Sequence, residues 1–84
     1  MTGAPLADKL ALVTGASRGI GFAVAGALRD AGAHVVRLAR SVADQSDGGF
    51  TDVRCDVADP AAVERAIARI LTERGAPDIV VNNA

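Results

Sequence analysis

Residues Ala11 to Gly21, ALVTGASRGIG, put three glycines into seven positions directly behind an apolar run. Glycine costs about 1 kcal/mol relative to alanine inside a helix and also weakens a strand, so packing alone gives no reason for the cluster. Its setting is what constrains the fold. Leu10 to Val13 is continuously apolar, the pattern of a strand buried on both faces in a parallel sheet. Behind the glycines, Ile20, Ala23, Val24, Ala27, Leu28 and Ala31 recur at helical spacing, and Gly32 stops the pattern. Strand, glycine turn and helix in that order open a strand–crossover–strand unit.

The alternation continues. HVVRLA, His34 to Ala39, reads as a second strand, and the Ser-, Asp- and Gly-rich stretch Ser41 to Gly49 as a polar loop. A third strand is expected around Thr51 to Cys55. Asp59 and Pro60 then form a helix start, because Asp caps free amides and Pro at the first helical position gives up no needed donor. Val63, Ala66, Ile67, Ile70 and Leu71 form the apolar stripe of that helix, which Gly75 and Pro77 end. DIVVN supplies a fourth strand.

Strands alternating with helices predict an α/β fold: a Rossmann-type parallel sheet with right-handed crossover helices and strand order 3-2-1-4. The helices over Ile20–Ala31 and Pro60–Arg74 are expected on opposite faces. With 84 residues ending on a strand at VVNNA, the expectation is a single partial domain, truncated after the fourth strand.

Charge excludes several classes of partner. Nine Lys and Arg against ten Asp and Glu give −1, so neither a nucleic-acid footprint nor a polybasic membrane patch is expected. The single cysteine, Cys55, excludes an internal disulfide and reads as a small buried hydrophobe. No apolar stretch approaches the roughly 18 residues that span a bilayer. A start without basic leader or long apolar core leads to a cytoplasmic expectation. No metal-ligating cluster stands out, and His34, with no recognisable partner, reads as incidental.

In a parallel sheet, Gly15 turns the chain sharply off the strand, Gly19 lets backbone approach a pyrophosphate, and Gly21 lets helix pack close to strand. The free amides and positive end of the helix favour an anion by about 0.3–1 kcal/mol when exposed, up to ~2 when partly buried. A P-loop needs Lys-Ser or Lys-Thr after its last glycine; Phe22 and Ala23 stand there instead.

TGASRGIG resembles the cofactor motif of the short-chain dehydrogenase/reductase family. CDV, Cys55 to Val57, looks like that family's adenine-contacting Asp after the third strand, and NNA, Asn82 to Ala84, like its Asn-Asn-Ala-Gly motif. The resemblance covers nearly everything after the first eight residues. It implies that Gly15, Ser17, Arg18, Gly19 and Ile20 line the phosphates, Asp56 and Val57 the adenine, and Asn82 and Ala84 the adenosine ribose. Thr14 and Asn83 read as structural. For Asp56, a loop residue satisfying nearby amides is the competing reading.

An acid beyond the second strand would bind the ribose hydroxyls of NAD, whereas a cation accommodates the 2′-phosphate of NADP. Here the strand ends in Ala39, where NAD-using family members usually carry Asp, and Arg40 follows, with Arg18 available from the turn. NADP is therefore the expected cofactor over NAD. The competing reading of Arg40 is a solvated strand-end cation.

The family's hydride transfer between nicotinamide and a carbonyl or alcohol uses Tyr, Lys and Ser, which lie downstream of its Asn-Asn-Ala-Gly motif. This chain has no Tyr, and its single Lys, Lys9, precedes the first strand. No catalytic residue is assigned. The resemblance implies the amino-terminal, NADP-binding portion of an oxidoreductase, inactive by itself, whose parent takes a small-molecule substrate and is a homo-oligomer. The alternative is a stand-alone, non-catalytic nucleotide-binding or interaction module. A continuation beginning with Gly and containing Tyr-x-x-x-Lys would separate the two.

Overall fold

The structure, a computed structural model, describes residues 5–15, 19–40 and 45–82. Strand β1 runs over Leu10–Thr14, helix α1 over Gly19–Asp30 and strand β2 over His34–Ala39. Strands β3 (Gln45–Asp47) and β4 (Phe50–Arg54), helix α2 (Pro60–Arg74) and strand β5 (Ile79–Asn82) complete the order.

Each helix ends where its sequence dictates. The Gly32 amide donates to Arg29 O and the Ala33 amide to Leu28 O, with Gly32 at φ 105°; this Schellman arrangement uses the left-handed backbone that glycine adopts freely. At the start of α2, Asp59 Oδ1 accepts from the Ala61 amide at 3.1 Å and the Ala62 amide at 3.4 Å, and Pro60 takes the first position.

The sheet order is β3-β4-β2-β1-β5. β1 pairs parallel with β2 (Leu12↔Val36) and with β5 (Leu12↔Val80), and β2 pairs parallel with β4 (Leu38↔Val53). In the sequence numbering of the expected strands this is the order 3-2-1-4. Alternate residues of β1 supply two cores. Leu10 and Leu12 join Val36, Leu38, Val53, Cys55, Ala66 and Ile70 beneath α2, while Ala11 and Val13 join Val35, Ala25 and Ala33 beneath α1. The helices thus cover opposite faces, as right-handed crossovers moving in opposite directions across a sheet require.

One stretch departs from expectation. The loop read over 41–49 contains β3, which pairs antiparallel with β4 through Asp47↔Phe50. Gly48 and Gly49, at φ 57° and 87°, form a two-residue hairpin turn whose positive φ at both centres matches the strand twist. Residues 45–47 are polar throughout, so apolar alternation could not reveal them; the Gly-Gly pair was the available signal. Smaller shifts occur at strand ends: β4 begins at Phe50 and stops at Arg54, and β5 begins at Ile79. Among the described residues, no helix is long and apolar enough to cross a membrane.

Candidate functional site

Because β1, β2, β4 and β5 are parallel, their carboxyl ends share one edge of the sheet. The chain reverses direction across the sheet at β1, which lies between β2 and β5. In open parallel sheets the crevice at such a reversal is where ligands bind.

Gly15 leaves β1 at φ 65°, and its amide donates to Leu38 O at 2.9 Å, fixing the turn against β2. Gly19 opens α1 at φ 67°, where a side chain would be strained, and an added Cβ would meet nothing within 4 Å. No acid occupies the first turn of α1 to oppose an anion there. Gly21 is buried, consistent with close packing of helix on strand, and Ile20 is 74% exposed.

Arg40 follows β2 directly and is exposed. On its β4 side the Cys55 amide donates to Ala39 O at 3.0 Å, so the peptide leading into Asp56 is tied to the residue before Arg40. Asp56 is half-buried, and its Oδ1 accepts the Ala58 amide at 3.0 Å. One carboxylate oxygen thus serves the turn, as the loop reading requires. Val57 is exposed. On the other side of β1, Asn82 ends β5 opposite Thr14, and Thr14 Oγ1 donates to Asn82 Oδ1 at 3.0 Å. Thr14, read as structural, does bridge the two strands.

Gly15, Gly19, Ile20, Arg40, Asp56, Val57 and Asn82 consequently belong to one edge. Ser17, Arg18, Asn83 and Ala84 lie outside the described residues. Sequence reasoning missed the surroundings of His34: on the opposite edge, its Nε2 is 2.7 Å from Thr51 Oγ1. It also missed the part-buried pair Arg37–Asp52, which joins β2 to β4.

A glycine-flanked helix start, a reversal of strand order and a mostly parallel sheet covered on both faces define the class: a Rossmann-type α/β fold. The short chain dehydrogenase family model matches residues 9–84. The chain belongs to that family. It is 43% identical over 82 residues to the 3-oxoacyl-acyl-carrier-protein reductase FabG of Escherichia coli strain K12, with 90% of this chain and 34% of that protein covered. It is 43% identical over 84 residues to L-xylulose reductase of Mesocricetus auratus, covering 94% of this chain and 33% of the relative.

Among solved structures, ligand-free aldohexose dehydrogenase of Thermoplasma acidophilum superposes with a TM-score of 0.81 at 38% identity, over 99% of this chain and 32% of that one. A doubly substituted short-chain dehydrogenase/reductase of Serratia marcescens superposes at 0.84 and 38% identity, over 95% and 36% respectively. The chain spans about a third of the length of the curated relatives it matches.

Proposed function

We propose that this chain is the NADP-binding amino-terminal portion of a short-chain-type oxidoreductase whose full-length form transfers a hydride between NADP(H) and a carbonyl or alcohol. The observation that carries the reading is the convergence of Gly15, Arg40, Asp56 and Asn82 on the carboxyl edge of the sheet, where α1 begins. Reductases and dehydrogenases among the relatives support the reaction class.

The residues present fit a dinucleotide. The backbone amides of the first turn of α1, at the positive helix end and with no acid among them, would donate to phosphate oxygens. Arg40 supplies a fork of N–H donors for a 2′-phosphate, and no acid stands beside it on β2 to claim ribose hydroxyls. The second oxygen of Asp56 is the acceptor assigned to the adenine amino group, and Asn82 is assigned to the ribose. When bound, the nicotinamide would supply the hydride.

Proton donation needs a group this chain does not provide. A positioned donor contributes about 10²–10⁴-fold. The chain has no Tyr, and His34 is at the amino-terminal edge of the sheet, away from the carboxyl edge. The 84-residue chain is therefore expected to bind NADPH without catalysing its oxidation. Calorimetric titration with NADPH, paired with an absorbance assay against a carbonyl panel, tests both halves. Saturable binding abolished by Gly19→Trp, with no turnover above a protein-free control, is the expected result. Binding unaffected by Gly19→Trp would remove the site assignment, and sustained turnover would remove the claim of inactivity.

A further inference from the structure

At the amino-terminal edge of the sheet, opposite the candidate site, a cleft of about 310 Å³ is lined by Asp8, Lys9, Leu10, Gly32, His34 and Arg74. Several parts of the fold converge there. The His34 amide donates to Lys9 O at 2.9 Å, which sets the starts of β1 and β2 side by side, and Arg74 reaches over from the last turn of α2. Arg74 Nη2 donates to Thr51 Oγ1 at 2.9 Å, and His34 Nε2 lies 2.7 Å from the same oxygen, so both side chains are held at the cleft wall. A guanidinium offers several N–H donors, and among the described residues this one bond is all that Arg74 makes with its side chain. The Lys9 ammonium makes none.

We propose that this cleft binds a phosphate dianion, free or as a small monoester, with Lys9 and Arg74 as its cationic partners and His34 beside them. The charge balance favours an anion: Lys9 and Arg74 face the single carboxylate of Asp8, which pairs with neither among the described residues. Asp78, just before β5, is turned to the Leu10 amide, from which its Oδ2 accepts at 2.9 Å. The donors suit phosphate. A guanidinium presents its N–H groups as a planar fork that two phosphate oxygens can share, and an ammonium adds a compact charge. Volume favours the monoester over the bare ion: a phosphate displaces roughly two or three waters of about 30 Å³ each, which leaves room for a few carbons against the buried Leu10. Asp8 can accept from a hydroxyl that those carbons carry.

His34 reports on occupancy. Burial first, then the Arg74 charge, hold its pKa below the ordinary 6.5. A dianion seated against Arg74 opposes the second cause, so binding should raise that pKa, and by linkage binding should tighten as pH falls through the range in which the ring titrates. The charged groups lining the cleft with the ring are Arg74 from α2 and Asp8 and Lys9 from the segment before β1; β4 contributes the neutral Thr51.

His34 is the chain's single histidine, so its ring resonances follow this cleft without ambiguity in the unmodified chain. At constant ionic strength, glycerol 3-phosphate and inorganic phosphate should each shift them saturably, and chloride should not. The one that saturates at the lower concentration, expected to be the ester, identifies the source of the phosphate group. Replacing chloride by sulfate, a dianion that does not itself titrate near neutrality, should raise the His34 pKa. Lys9→Gln leaves the backbone bonds of Lys9 in place and should weaken phosphate binding about two- to fivefold, the range that an exposed ion pair supports. Arg74→Gln should weaken it further. Shifts that chloride reproduces, that never saturate or that are unchanged in Lys9→Gln, or a His34 pKa that sulfate leaves where it was, would overturn the proposal. Should Arg74→Gln fail to fold, Lys9→Gln, at an exposed side chain, decides the matter alone.

Discussion

Arg37 and Asp52 face each other across the β2–β4 pairing and form a bidentate ion pair, Nη2 to Oδ2 at 2.8 Å and Nε to Oδ1. The Arg37 side chain is 16% exposed and that of Asp52 3%. The Phe50 ring lies 4.0 Å from the guanidinium carbon of Arg37. Two charges withdrawn from water tolerate each other only as a pair, so the contact favours the register that sets Arg40 and Asp56 at neighbouring strand ends. Asp52→Ala should destabilise the fold by about 1–3 kcal/mol, because it removes the charged acceptor of a half-buried guanidinium. Urea denaturation measures this. A loss below about 1 kcal/mol, the ordinary value for an exposed pair, would show that the pair is solvated.

Cys55 is 4% exposed, and burial first, then the Asp56 and Asp59 carboxylates, push its thiol above the ordinary 9.0, with Arg65 pulling the other way. The folded pKa exceeds the unfolded one, so the neutral thiol contributes stability below about pH 9, lost as pH rises through the folded value. At pH 8, iodoacetamide should modify Cys55 slowly in the native chain and readily in urea. Equal rates in the two states would contradict the buried placement.

The outer edge of β5 is a surface on which the chain is expected to associate. Among the described residues β5 pairs with β1 on one side alone, and Val80, in register with Leu12, is 60% exposed. An unpaired apolar strand edge is a template for another chain. Sedimentation of the 84-residue chain should show concentration-dependent self-association, reduced by Val80→Lys. A monomer at every concentration, unchanged by the substitution, would mean that the edge is already protected.

Much of the fold could be read from the sequence because its signals are local. The apolar run before Gly15, the helical spacing after Gly19 and the Asp59-Pro60 start each specify their element within a few residues. Asp59 caps α2 as read, and Gly32 and Gly75 follow the helices they were expected to end. The carboxyl-edge positions of Gly15, Arg40 and Asn82 follow from topology once the strands are known. What escaped depends on pairing between strands distant in sequence. His34 reaches Thr51, and Arg37 reaches Asp52, only after β2 and β4 adopt their register, and neither contact has a sequence signature. β3 escaped for a different reason: backbone pairing at the Gly48-Gly49 turn creates that strand without an apolar pattern.

Whether the carboxyl edge reads NADP turns on Arg40, and parallel calorimetric titrations of NADPH and NADH against the unmodified chain and Arg40→Ala test it most directly. A hydrogen bond to a charged group contributes about 1.5–3 kcal/mol, so Arg40→Ala should weaken NADPH binding about ten- to a hundredfold and leave NADH binding nearly unchanged. Equal losses for both cofactors, or none for either, would contradict the account, because Arg40 would then not be distinguishing the 2′-phosphate.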